Sequence, residues 1–174
     1  MPAACPERAP RTPRAWMIAA LMIGLAGCRA AGCERGERPA DTGEIAFRKD
    51  AVLTFASPDG GVRATIDVEV AATDSARRRG LMDRTALPER SGMLFVYQTA
   101  AHRSFWMKDT PMELDLIFAG ADSSVVRIAG RARPFTDVLI PSGLPARFVV
   151  EVPGGFSERA GIAEGDRLRW RFVR

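Results

Sequence analysis

A chain of 174 residues with 47% apolar and 26% charged content is too apolar for wholesale disorder, and its length fits one domain plus a targeting segment. The net charge of +4 drops to +2 once residues 1–27 are set aside as a leader, leaving 22 basic against 20 acidic residues; that gives no electrostatic footprint for nucleic acid, and no such partner is expected. Cys5, Cys28 and Cys33 all precede the folded part and His102 is the only histidine, which excludes a disulfide, a thiolate zinc site, a cysteine nucleophile and a histidine-rich metal site from the domain; no metal or other cofactor is expected, although oxygen ligands for calcium or magnesium stay open.

Residues 1–15 carry Arg8, Arg11 and Arg14. Trp16 to Ala26 follow as an uncharged apolar run, too short to span a bilayer. A basic segment before a short apolar one reads as a secretory signal. Leu25-Ala26-Gly27-Cys28 then resembles the bacterial lipoprotein box, in which the cysteine thiol is diacylated and the chain is cut before that cysteine. Residues 1–27 are therefore expected to be a lipoprotein signal peptide. Cys28 is the expected lipidation site and the link to the membrane, since several acyl chains anchor firmly where one binds marginally. Arg29 in place of aspartate weakly favours the outer membrane or the periplasmic face. Residues 28–43, rich in Gly, Ala, Arg and Glu and without apolar periodicity, read as a flexible tether to an envelope domain over 44–174.

Val52–Phe55 is a strand candidate, stopped by the turn Ser57-Pro58-Asp59-Gly60-Gly61. Val62–Val70 alternates, with Val62, Ala64, Ile66, Val68 and Val70 inward and Arg63, Thr65, Asp67 and Glu69 outward, so the two strands suggest a hairpin. Thr73 is placed to cap a short helix that carries Arg77-Arg78-Arg79 in its last turn and stops at Gly80. Met93–Tyr97 is apolar almost throughout and predicts a central strand. Arg103–Asp109 fits a strand with Ser104, Trp106 and Lys108 on one face. Leu114, Leu116 and Phe118 form a core face, with Glu113, Asp115 and Ile117 opposite. Val125–Ala129 and Arg147–Val152 are further strands, separated by a Pro- and Gly-containing loop over 130–146. Ser157 is placed to cap a second short helix, closed by Gly161, and Leu168–Phe172 alternates as the last strand. About seven short strands and two short helices predict a mainly-β, single compact domain, sandwich- or barrel-like.

These residues also carry a resemblance. Arg79-Gly80-Leu81-Met82, Gly92-Met93-Leu94-Phe95, Ser104 through Thr110, Asp115, Pro141-Ser142, Pro145-Ala146-Arg147 through Gly155, Gly161-Ile162 and Gly165-Asp166 occur in order over about residues 62–172. The domain so delimited resembles the prokaryotic family known as domain of unknown function 192. The resemblance implies a compact, mostly-β domain, often exported or lipid-anchored, and brings no established activity. Two departures stand out: Asp109 replaces the family's usual asparagine, and Arg133-Pro134-Phe135-Thr136 lacks the cysteines of many relatives.

The stretch from Gly92 to Asp115 gathers the candidate site. Trp106 can stack on a planar ligand or pack as a core aromatic. Lys108 can hold an anion or pair with Asp109 or Asp115. Glu113 and Asp115, two apart on a strand, can act as paired carboxylates or sit on a solvated face. Met82, Met93, Met107 and Met112 are thioether candidates for soft metal but fit core packing better. Gly154-Gly155 before a helix can hold an anion or simply turn the chain. The expected ligand-binding set is Trp106, Lys108, Asp109, Asp115, Met82 and Arg84, while the catalytic set stays undefined. The first functional expectation is a non-enzymatic, envelope-anchored binding domain for a small polar ligand or an envelope protein. A hydrolase or lyase acting on envelope carbohydrate through Asp115 and a second carboxylate is the alternative, and a structural or assembly factor is the third.

Overall fold

A computed structural model describes residues 45–173. The leader, the tether and all three cysteines lie outside the described residues. Nine strands and two short helices succeed one another: β1 (Ala51–Ala56), β2 (Val62–Ala71), α1 (Asp74–Arg79), β3 (Ser91–Ala101), β4 (Ser104–Phe105), β5 (Leu114–Ala119), β6 (Val125–Ala132), β7 (Ile140–Pro141), β8 (Ala146–Pro153), α2 (Phe156–Arg159) and β9 (Arg167–Phe172). Seven strands make one sheet in the order β6-β5-β8-β3-β2-β1-β9, and β4 pairs with β7 as a separate ribbon. The domain is mainly β, as its periodicity predicts. It is one curved sheet rather than two packed sheets, and it does not close into a barrel. Its edges β6 and β9 meet at one end only, where Val125 N–H donates to Asp166 O and Leu168 N–H to Ser123 O.

The expected hairpin forms between β1 and β2, with the turn at Ser57–Gly61. Helix α1 also forms as its caps dictate: Thr73 Oγ1 accepts from Ala76 N–H at 3.2 Å, and Gly80 N–H donates to Ala76 O. This helix connects β2 to β3, which pair in parallel and so need a crossover. Strand β3 lies at the middle of the sheet, between β2 and β8.

Both faces of the sheet are buried. One packs Leu53, Phe55, Ile66, Val68, Leu94, Ile117, Phe148 and Val150 together with Phe156 and Ile162 at α2. The other packs Leu81, Met93, Phe95, Met107, Leu116, Phe118 and Val149 under the β4–β7 ribbon. Covering the second face explains most departures from the expected pattern. Strand β5 alternates as expected but is buried along its whole length, because a layer lies on each side. The expected strand over 103–109 shortens to Ser104–Phe105, and Trp106–Asp109 turns back over the sheet. Residues 130–146 are no free loop: they contain the end of β6 and the strand β7 that pairs with β4. Glu69 was placed on the outer face of β2 but is 4% exposed, because Arg84 reaches it from the segment after α1. Ser157 does not cap α2 either. Gly155 occupies the cap, and Ser157 lies one residue inside the helix start, donating its N–H to Asp115.

Candidate functional site

The β4–β7 ribbon and α1 stand apart on the same face of the sheet, and a cleft of about 340 Å³ lies between them. Phe105, on the ribbon, meets Phe95 edge-on at 5.1 Å between ring centroids and Phe118 at 5.8 Å. Those contacts fix the ribbon to the sheet and make one wall aromatic. Trp106 continues that wall outward and is 47% exposed. Gly80, Leu81 and Met82, at the end of α1, form the facing wall. Gly80 is required there: its φ of 50° with ψ of −133° suits a residue without a side chain, and a Cβ would come within 3.3 Å of the Phe95 ring. Arg77, Arg78 and Arg79 line the mouth.

The floor of the cleft is acidic. Glu151 stands on β8 opposite Met93 of β3 and Leu116 of β5, and its side chain points to the ribbon-covered face. The residue is 5% exposed, and its Oε2 is buried without any hydrogen-bond partner. Burial pushes this carboxyl up to about 8, so the acid is mostly neutral at pH 7. An orphaned acid at the bottom of a cleft is costly for a fold unless something enters to meet it.

Tyr97 bounds the cleft further along β3. The Arg103 guanidinium lies 3.3 Å from its ring centroid and that of Arg77 lies 4.9 Å away. Both arginines are committed to structure. Arg103 donates to the carbonyls of Ala146 and Thr99, and Arg77 to those of Ala72 and Val96 and to Asp74. Burial raises the Tyr97 phenol above its ordinary value. Arg79 makes only a 3.5 Å contact with Asp83, and Arg78 makes no ion pair among the described residues.

The six expected ligand-binding residues do not share one place. Trp106 and Met82 line the cleft. Lys108 lies at its edge, its Nζ 5.7 Å from the Trp106 ring centroid. Asp109 takes a left-handed φ of 52°, and its carbonyl accepts from Asp83 N–H at 2.7 Å; the tight turn suits asparagine or aspartate for backbone reasons. Arg84 is buried against Glu69 at 2.8 Å, and Glu69 also accepts from Arg48 N–H, so this arginine closes a buried pair and does not line the cleft. His102 is exposed.

Asp115 lies on the other face of the sheet, opposite Val152, and is 1% exposed. Its carboxylate accepts three backbone N–H groups: Arg131 and Gly155 on Oδ1 and Ser157 on Oδ2, each at 2.8 Å. It thus ties β5, the end of β6 and the start of α2 together. Gly155 fits this arrangement with a φ of 74°, and a Cβ there would meet the Arg131 guanidinium at 2.6 Å. Glu113 does not join Asp115 as a pair; it is exposed and lies 3.8 Å from Arg131. A second depression of about 390 Å³ opens beside Asp115, and the buried Ser157 Oγ beneath it lacks a partner. No group of three or more His, Cys, Asp or Glu is placed to hold a metal among the described residues.

Glu151 is the site residue that strand periodicity alone overlooks. Its signal is compositional: a single acid inside Phe148-Val149-Val150-Glu151-Val152, where a strand buried on both faces leaves no solvated position.

A family model described as an uncharacterized ACR, domain of unknown function 192, matches residues 55–170. Among solved structures, a protein of Sinorhizobium meliloti 1021 provisionally described as a transcription regulator is 31% identical. That match has a TM-score of 0.67 and covers 73% of this chain and 97% of the other. A protein of unknown function from Novosphingobium aromaticivorans DSM 12444 is 34% identical with a TM-score of 0.65, covering 68% of this chain and 84% of the other. A search of the curated proteins finds no match.

Proposed function

The chain belongs to the domain of unknown function 192 family, and from that premise we propose that it is an envelope-anchored binding domain that holds a small organic ligand in the cleft between α1 and the β4–β7 ribbon. The observation that carries this reading is Glu151: a desolvated acid with an unmet oxygen at the floor of a cleft with one aromatic wall. Small-ligand sites are commonly concave and largely apolar, with a few converging polar groups. A perturbed titratable group at the bottom is a further pointer. Trp106 supplies a stacking surface at the mouth, and Glu151 supplies the orienting polar contact.

Binding is favoured over hydrolysis because the carboxylates do not converge. A glycosidase sets two carboxyls about 5–9 Å apart across one substrate. Here Asp115 and Glu151 occupy opposite faces of the sheet, and the Asp115 oxygens are taken by backbone N–H groups. Delivery to the envelope rests on the signal-like residues 1–27 and on Cys28 as the acylated residue.

The test is a thermal-shift screen of residues 41–174 against sugars, amines, carboxylates and divalent ions. The matched region makes up 97% of the crystallised Sinorhizobium chain, so this domain stands alone there. The expected result is a ligand class that raises the Tm of wild type but not of Trp106→Ala or Glu151→Gln. Equal protection of all three proteins would place the ligand elsewhere. For the anchor, Cys28→Ser is expected to release the protein from membranes, and unchanged fractionation would contradict lipidation.

A further inference from the structure

Resting on that reading of the cleft, we propose the chemical class of its ligand: a flat zwitterion that carries an ammonium group at one end, set beside Glu151, and an anionic group at the other, set against Arg78 and Arg79.

The floor selects for the ammonium. Glu151 Oε2 is buried and unpartnered, and no cationic side chain among the described residues is close enough to pair with it. A ligand cation is the partner that lets this acid ionise in place. Of the aromatic groups around the cleft, Tyr97 is already covered by arginines, whereas Phe95, Phe105 and Trp106 can offset the loss of water from that cation through their π faces.

The mouth selects for the anion. Arg77 is committed to Asp74 and to two carbonyls, which leaves Arg78 and Arg79 as the cations with capacity, and Lys108 adds charge beside Trp106. A simple ammonium ion must pass this positive rim, whereas one that also carries a carboxylate or phosphate gains from it. The rest of the lining, Leu81, Met82, Phe95 and Phe105, is aliphatic and aromatic, which suits a ligand with an apolar spacer between its two charges. The titratable and charged groups that share the cleft with Glu151 are Arg77, Arg78 and Arg79 from α1 and Tyr97 from β3, and the Glu69–Arg84 pair lies on the same face across Met93; the ribbon contributes Ser104, Phe105 and Trp106, which do not titrate.

A matched series tests the assignment by calorimetry on residues 41–174: 4-(aminomethyl)benzoate, benzylamine, benzoate and benzyl alcohol. The zwitterion is expected to bind at least about tenfold more tightly than either half alone, which corresponds to one added charge-assisted contact of about 1.4 kcal/mol. Its affinity is expected to rise about tenfold per pH unit from roughly pH 6 to 8, because each ammonium bound displaces the Glu151 proton. Glu151→Gln is expected to abolish that rise and to lower zwitterion affinity at least about tenfold while leaving benzoate unchanged. Arg78→Ala with Arg79→Ala is expected to reduce the zwitterion to the affinity of benzylamine. Benzoate or benzyl alcohol binding as tightly as the zwitterion would overturn the proposal, as would Glu151→Gln binding the zwitterion with wild-type affinity. If none of the four binds up to about 10 mM while another class protects wild type but not Glu151→Gln in the thermal screen, the ligand class is wrong and the cleft stands. If no compound in either experiment distinguishes wild type from Glu151→Gln, both readings fall.

Discussion

Asp115 and Glu151 are two acids of neighbouring strands, each buried to within a few per cent, on opposite faces of one sheet. They have opposite environments. Asp115 meets three backbone N–H groups and joins three elements of chain. Glu151 has one oxygen without a partner and looks into a cleft. A carboxylate wrapped in N–H donors is part of the scaffold, and one left without donors is held ready for something else. Burial alone does not separate the two roles, whereas the accounting of hydrogen bonds does.

Asp115→Ala is expected to have the largest effect on this contrast. It strands three buried N–H groups at once, and a loss of about 4 kcal/mol or more is expected in urea unfolding. A loss below about 1 kcal/mol would mean that water replaces the carboxylate and that Asp115 is not a scaffold residue.

Next in size is the Arg84–Glu69 pair. Arg84→Ala leaves Glu69 buried and is expected to cost about 3 kcal/mol, with much of that recovered in the double variant with Glu69→Leu. A ligand that bound in the cleft with the same affinity to a folded Arg84→Met variant would confirm that this arginine serves the fold.

Glu151 should behave in the opposite sense to Asp115. Its acid titrates near 8 in the folded state against an ordinary value of 4.5, so the folded state holds the extra proton between those values. Stability is therefore present in full below about pH 4.5 and is lost as pH rises towards 8, by roughly 5 kcal/mol, with no further loss above it. Glu151→Gln should flatten that slope. Comparing urea midpoints at about pH 5 and pH 9 for the two proteins checks it, and parallel profiles would show that Glu151 is not the group responsible.

Trp106→Ala is expected to change stability least, by under about 1 kcal/mol, because nearly half of the residue is already exposed. Loss of ligand protection without loss of stability would separate the cleft from the scaffold.

Much of the scaffold was legible in the chain. The Ser57–Gly61 turn, the Thr73 cap and the apolar run of β3 act locally, so local rules find them. What escaped depends on partners far along the sequence. Ser157 looks like a helix cap, but Asp115, 42 positions earlier, accepts its N–H. Glu69 looks like an outward residue of an alternating strand until Arg84 arrives, 15 positions later. Asp115 looks available for chemistry because its three donors lie on segments that only the sheet order brings near. The candidate set mixed residues of the cleft, Trp106 and Met82, with residues of the frame, Arg84 and Asp115, because the partners that commit the frame residues, Glu69 for Arg84 and three backbone N–H groups for Asp115, lie far along the chain. Glu151 was visible only as an acid in an apolar strand, a pattern equally consistent with a buried ion pair.

The central claim is that Glu151 is a desolvated, unpaired acid waiting at the floor of a binding cleft. Its side-chain carboxyl can be followed directly by carbon-13 NMR as pH is raised in the ligand-free domain. The account predicts a single titration near 8 that is missing in Glu151→Gln. A midpoint near the ordinary 4.5 would mean that water or a neighbouring donor already satisfies the group, and would contradict the account at its base.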